Sequence, residues 1–180
     1  MRSRLRLPTR SAVVAVAIFL VGAVGAVAGC SSEEGRSESD RQVAVYGLVL
    51  EWILERETLP APGAAPDDTP AVFLDHLGQP IGLDVQVGLV GRFEDRYELR
   101  FVDAISEAVE EEQPGAPVRH GGLLVGLGAV PHDSPFQVRV EVYRDARSLD
   151  AYRFEVARWG GDWVLRGDPH PVEAEGFARE

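Results

Sequence analysis

Residues 123–166 read LLVGLGAVPHDSPFQVRVEVYRDARSLDAYRFEVARWGGDWVLR, and this stretch decides the fold. Apolar residues recur there at every second position, the period of a half-buried strand. Phe136, Val138, Val140 and Val142 share one face, as do Tyr152, Phe154 and Val156. Leu123 to Val130, Phe136 to Arg144, Ala151 to Trp159 and Trp163 to Arg166 form four strands of an antiparallel meander. Gly160-Gly161 is a two-residue turn of the kind that primed hairpins favour, pairing Trp159 with Asp162 and Val156 with Leu165. Between the second and third strands, keeping both apolar sets in the core requires an even sum of paired residue numbers. A sum of 294 sets Arg139 opposite Glu155 and Glu141 opposite Arg153. Sums of 292 and 296 set like charges against each other, so charge pairing favours 294. Gly126 and Gly128 in the first of these strands predict a bulge or a close backbone approach.

Upstream, Arg41 to Glu57 (RQVAVYGLVLEWILERE) carries Tyr46, Val49, Leu50 and Ile53 at helical spacing. It predicts a largely buried helix with Asp40 as N-cap. Thr58 to Pro70 holds four prolines and is a loop. Its Asp67 and Asp68 are solvated charges, since calcium needs more oxygens at fixed spacing. Ala71 to Leu74 is a strand ending near Asp75-His76. Leu83 to Phe93 fits a strand through Val85, Val87 and Leu89, and equally a helical stripe through Leu83, Val87, Val90 and Phe93. Tyr97 to Val102 alternates cleanly as a strand. A helix between two strands makes a βαβ unit, which favours the helical reading. Ala104 to Glu112 is a short helical turn with a solvated acidic end. The folded body then runs from about Arg41 to about Phe177. The fold class expected is α+β, an N-terminal helix packed on a mixed sheet ending in the four-stranded antiparallel meander.

The N-terminus has a different character. Met1 to Arg10 carries four arginines and no acid, and Ser11 to Gly29 is uncharged for 19 residues. A positive segment, an apolar segment and small residues at its end are the layout of a secretory signal. The only cysteine, Cys30, follows Val27-Ala28-Gly29. This resembles the lipobox of bacterial lipoproteins, an aliphatic and two small residues before an invariant cysteine. Val27 stands where leucine is commonest. The resemblance covers the first 30 residues. It implies cleavage after residue 29, diacylglycerol on the Cys30 thiol and acylation (palmitate) of the new amine. The alternative is an uncleaved span, because 19 residues at ~1.5 Å rise just cross a bilayer core. Residues 31–40 hold no large apolar residue and are expected to be a flexible tether. The organisation expected is thus a signal peptide over 1–29, lipidated cysteine and tether over 30–40, and one α+β domain over 41–180.

All 18 basic residues are arginines, and the formal net charge is −11. From Cys30 onward, 14 arginines face 29 acids. This balance excludes nucleic acid, whose phosphates nothing here would neutralise. It also disfavours an electrostatic dock on anionic lipid, so acyl chains on Cys30 would do the anchoring. One cysteine excludes an internal disulfide framework and a Cys-rich zinc site. No G-x-S-x-G, H-E-x-x-H or P-loop is present, and no cofactor or metal is expected. His120 and His132, each with a loop carboxylate, are the candidate acid–base residues. Neighbours such as His132-Asp133-Ser134 cannot converge on one reacting atom. Ala157, Trp159 and Val164 fall on the outer face beside the Gly-Gly turn and are the candidate binding surface.

Gly121 to Pro131 (GGLLVGLGAVP), the V-x-V pattern of Val138, Val140 and Val142 and the tryptophan close at Trp163 loosely resemble the C-terminal half of uncharacterised bacterial envelope proteins. That resemblance implies no activity. The function expected is a lipid-anchored, non-catalytic module on the outer face of the cytoplasmic membrane, binding another envelope protein or a small ligand. The alternative is an anchored hydrolase acting on an envelope substrate.

Overall fold

The computed structural model describes residues 27–57, 59, 70–78, 80–111, 113, 115–175 and 177. The expected signal segment up to residue 26 and the proline-rich loop with Asp67 and Asp68 lie outside the described residues. The chain divides into two units, Met1–Glu38 and Ser39–Glu180. Of the first, the described residues are the start of one helix, and the architecture below belongs to the second.

Helix α1 runs over Val27–Arg56. It begins well before Asp40, so Asp40 lies in the helix interior and is not its N-cap, and the segment expected as a tether is helical. Adding turns to a helix that is already nucleated costs far less than starting one. The buried 45–54 stretch supplies that nucleus. Strand β1 (Ala71–Leu77), helix α2 (Leu83–Phe93) and strand β2 (Glu98–Phe101) follow, with β1 and β2 parallel. A short helix α3 (Ile105–Ala108) and a 3-10 turn at Arg119–Gly121 lead into β3 (Leu123–Gly128). Then come β4 (Phe136–Asp145), β5 (Ser148–Trp159), β6 (Asp162–Leu165) and the short β7 (His170–Pro171).

The sheet order is β2-β1-β3-β4-β5-β6, with β7 also on β5. Strands β2, β1 and β3 are parallel, and β3 to β6 are antiparallel. This is the α+β fold read from the sequence, a mixed sheet closing in an antiparallel meander. Period-2 alternation gives the sheet two different faces. The front face presents Val72, Leu74, Leu123, Val125, Val138, Val140, Phe154 and Val156 to Val45, Val49, Leu50 and Ile53 of α1 and Val85, Leu89 and Phe93 of α2. Burying such side chains stabilises by roughly 1.5–3 kcal/mol each, which makes this layer the main core. Trp52 closes it edge-on, 5.2 Å from the Phe154 ring and 5.6 Å from Tyr152. The back face holds a smaller cluster of Ala71, Phe73, Val102, Ala108, Val118 and Leu124.

Two expectations are corrected in detail. The apolar stripe of α2 that packs inward is Val85, Leu89 and Phe93, at i, i+4 and i+8. Leu83, Val87 and Val90 are exposed. Either stripe satisfies a helical period and they meet at Phe93, but the inward one carries Leu89 and Phe93 onto the sheet. The β4–β5 pairing is also not the expected one. Phe136 lies opposite Val156, Val138 opposite Phe154 and Arg139 opposite Arg153, a sum of 292. The required parity holds, but the charge argument chose the wrong even number. The turn at Ala146-Arg147 is followed by a register shift between Tyr143 and Asp145, which displaces the ladder by one residue. Neither acid was available for cross-strand pairing. Glu141 is fully buried, and Glu155 meets Arg166 at 3.4 Å. The β5–β6 hairpin has the expected register, Trp159 with Asp162 and Val156 with Leu165. Both turn glycines have the positive φ such a turn requires, 61° and 102°.

Candidate functional site

The connections leaving β1 and β2 diverge. From β1 the chain passes to α2 on the front face, whereas from β2 it passes to α3, whose Ala108 belongs to the back cluster. In open sheets with parallel strands, such a divergence leaves a crevice outside the strands' carboxyl ends. A cleft of about 400 Å³ sits there, lined by Asp75, Leu77, Asp103, Ile105, Glu141 and Phe177 among others.

Glu141 is the centre of this site. It projects from the back face of β4 and is 0% exposed, the one buried charged residue among those described. A carboxylate so placed is costly unless paired and hydrogen-bonded. Its Oε1 accepts bonds from Arg139 Nε at 3.0 Å and Nη2 at 2.8 Å, two positions back on the same strand face. Oε1 also accepts the backbone N–H of Glu175 at 2.9 Å, and Oε2 that of Phe177 at 3.0 Å. Arg139 Nη2 in turn donates to the carbonyl of Glu173. The guanidinium–carboxylate pair therefore binds the main chain of residues 173, 175 and 177. Phe177 itself lies in a 3-10 turn, so the carboxylate meets the chain where it enters that turn.

Gly126 makes this contact possible. It faces Glu141 across the β3–β4 ladder. A Cβ there would lie 2.8 Å from both Leu77 Cδ2 and Phe177 Cζ. The missing side chain leaves a trough into which the Phe177 ring settles, 6.3 Å from Tyr143 and roughly edge-on to it. The Tyr143 hydroxyl donates to the Ala116 carbonyl at 2.7 Å. Burial, then the nearby Asp145 charge, raise its pKa above 10.0 and keep it protonated. At the end of β1, the His76 N–H donates to Asp75 Oδ1 at 2.7 Å. The His76 Nδ1 atom is buried with no hydrogen-bond partner among the described residues. No group of three or more His, Cys, Asp or Glu side chains is placed to hold a metal ion among the described residues.

No family model, no curated protein and no solved structure matches this chain.

The candidates read from sequence fall elsewhere. His120 occupies the 3-10 turn before β3, with φ 59°, and His132 follows the other end of β3. Six strand residues at ~3.3 Å each put roughly 20 Å between them, so the two do not converge. Both are exposed, and His132 Nδ1 lies 3.3 Å from Arg41 Nη2. Of the outer-face trio, Trp159 is 73% exposed, Ala157 is buried and Val164 is half-buried. Ala157 and Val164 are partners across the β5–β6 ladder, with Trp159 two residues along β5. The side chain of Cys30 lies outside what is described.

Sequence reading missed Glu141, Arg139 and Phe177 as a group. Glu141 occupies a period-2 position that reads as solvent-facing, and nothing in a single strand shows that a distant segment covers it. The legible signal was Gly126, whose predicted close approach is the contact with Leu77 and Phe177.

Proposed function

We propose that this chain is a lipid-anchored extracytoplasmic protein whose folded unit is a non-catalytic interaction or ligand-binding module. The observation that carries the anchor is the lone Cys30 directly after Val27-Ala28-Gly29 and an uncharged run of 19 residues. Acyl chains supply ~0.8 kcal/mol per buried CH₂, and two or more chains hold a protein stably on a bilayer. The strongly acidic remainder would keep the body off anionic headgroups. No described helix is long and apolar enough to cross a membrane.

The module reading draws on the back-face site. Its polar groups engage main-chain donors and acceptors, which is recognition chemistry. Metabolic labelling tests the anchor. Wild-type chain should incorporate labelled fatty acid and run shorter than its precursor. Cys30→Ala should abolish the label and leave the precursor uncut. A wild-type chain that takes up no lipid overturns the anchor. Co-purification from detergent-solubilised envelopes tests the module, which predicts a bound protein or ligand held at stoichiometric amounts.

A further inference from the structure

Helix α2 presents one apolar stripe to solvent. Its opposite side, Val85, Leu89 and Phe93, packs on the sheet. Its α1 side is occupied at Gly88, where a Cβ would lie 2.6 Å from Val43 Cγ2, and at Arg92, which pairs with Glu51 at 3.1 Å. Turned away from both are Leu83, 72% exposed, Val87, 65% exposed, and Val90. Among the described residues, these are three of the four large apolar side chains left exposed. Single exposed apolar residues are ordinary, whereas three on one helix face mark an interaction surface.

The spacing points to the kind of partner. Leu83, Val87, Val90 and Glu94 follow one another at 4, 3 and 4 residues, the alternation of a coiled-coil seam. Glu94 keeps helical φ and ψ, −53° and −30°, so it continues the stripe. Such a seam fits a helix of the same period, and α2 is itself one. The two ends of the seam then set the direction. The N-cap is Gly82, so no side chain caps the first-turn N–H groups. At the other end stands the Glu94 carboxylate. In an antiparallel pair about a two-fold axis, each Glu94 lies over the other copy's N-terminus, where negative charge is favourable. A parallel pair would set Glu94 against Glu94. Gly91 flanks the seam, and a Cβ there would meet nothing within 4 Å. Glycine weakens a helix interior, and no neighbour at that distance requires it here. Across the antiparallel pair it leaves room for the second copy's Asp84, which flanks the seam on the same side.

We infer that α2 is a homodimer interface, in which two copies of this chain pack antiparallel along Leu83, Val87, Val90 and Glu94. The paired residue numbers sum to 177, so Val87 faces the second copy's Val90 and Leu83 the second copy's Glu94. The Glu94 methylenes cover Leu83 while its carboxylate reaches the helix end. About three turns of helix make a small interface, so the dimer is weak and forms at micromolar concentration. The inference stands apart from both the anchor and the back-face site.

The test is sedimentation velocity of the full chain in density-matched detergent. Micelles are kept in excess over protein, and salt near ~0.15 M screens the net charge. Wild type should pass from monomer to dimer as its concentration rises through the micromolar range. Val87→Asp should weaken dimerisation at least about tenfold, because it places an unpaired charge in the seam. Its urea midpoint should stay close to wild type, since Val87 is exposed in the monomer. Glu94→Gln should weaken the dimer about threefold or more, two symmetry-related helix-end contacts being lost together. Cysteine cross-linking reads the register, with wild type as the blank for Cys30. A mixture of Val87→Cys and Val90→Cys chains should form disulfide-linked pairs faster than either variant alone, whose like positions are offset by ~4.5 Å along the axis. A wild-type chain that stays monomeric throughout the micromolar range overturns the proposal. So does a dimer that Val87→Asp leaves intact, or cross-linking that is fastest within one variant. Should Val87→Asp instead release another protein from a monomeric wild type, the stripe serves that partner and the homodimer falls.

Discussion

The carboxylate of Glu141 accepts the backbone N–H of Phe177 at 3.0 Å, across 36 positions of sequence. With the bond from Glu175, this ties the end of the chain to a central strand. The tie gives the back face its cover, because the small cluster around Phe73 and Leu124 has Phe177 packed against it. The front face needs no such device, since α1 and α2 cover it.

Removing the carboxylate should therefore unfasten the segment as well as destabilise the sheet. Glu141→Ala leaves Arg139 without its partner and two N–H groups without an acceptor. Breaking a buried pair costs about 3–5 kcal/mol. The Arg139 side chain is 25% exposed and can turn to water, which places the loss near the low end, about 3 kcal/mol. Glu141→Gln keeps one acceptor and should cost about 1–2 kcal/mol. Urea midpoints of the two variants check the order. Equal midpoints for wild type and Glu141→Ala would show that the buried pair contributes nothing net.

Gly126→Ala tests the trough. The new Cβ would lie within 2.8 Å of Leu77 and Phe177, so one of them must move. Overpacking of this kind costs about 1–3 kcal/mol. Phe177→Ala on its own loses ring burial. The double variant should lose less than the two single losses together, because the ring that clashes is gone. A coupling of about 0.5 kcal/mol or more in a double-mutant cycle is expected. Strict additivity would mean that Leu77 absorbs the strain, or that Phe177 does not sit over Gly126.

The contrast between these residues shows what sequence could and could not give. The strands, the α1 core stripe through Tyr46, Val49, Leu50 and Ile53, and the Gly160-Gly161 turn are local patterns, and each is where period and turn chemistry place it. The helix at Leu83–Phe93 came from topology, since parallel β1 and β2 need a crossover. The β4–β5 register depended on what lies over the outward face. Charge pairing there assumed that Glu141 was solvated, but the C-terminal segment buries it. Long-range cover of this kind leaves no periodic signal. The same holds for His120 and His132, whose separation follows from lying at opposite ends of one strand.

Arg153 offers a direct check of the register. It stands opposite Arg139, whose guanidinium is committed to Glu141 and the Glu173 carbonyl. Like charges directly across a ladder are unfavourable. Arg153→Glu should therefore stabilise the protein by about 0.2–1 kcal/mol, an effect that shrinks with added salt. Under the 294 pairing the same change would set two acids face to face and destabilise. The sign of the shift in thermal midpoint decides between the two.

Alkaline pH provides the last test, and the composition makes it unusually clean. The chain has no lysine and four tyrosines, and its only cysteine lies outside the Ser39–Glu180 unit. Side-chain ionisation near pH 10 in that unit is thus a tyrosine property. Two of these phenols are raised above 10.0 in the folded protein. For Tyr143 the cause is burial, then Asp145. For Tyr152 it is burial, then Asp150, partly opposed by Arg144. A raised value means that the folded state holds these protons more tightly than the unfolded chain does. Below the unfolded value of 10.0 both states are protonated, and the contribution is fully present. As pH rises from there through the folded values, the unfolded chain ionises first and stability falls. Tyr143 also loses its hydrogen bond to the Ala116 carbonyl once it ionises, because a phenolate cannot donate. The thermal midpoint should therefore drop above about pH 10. Tyr143→Phe should lower the midpoint at neutral pH by removing that bond, yet flatten the alkaline decline. Tyr152→Phe keeps the ring edge-on to Trp52 and should flatten the decline with little neutral cost. If both variants lose stability above pH 10 as steeply as wild type, these two phenols are not what the alkaline transition titrates.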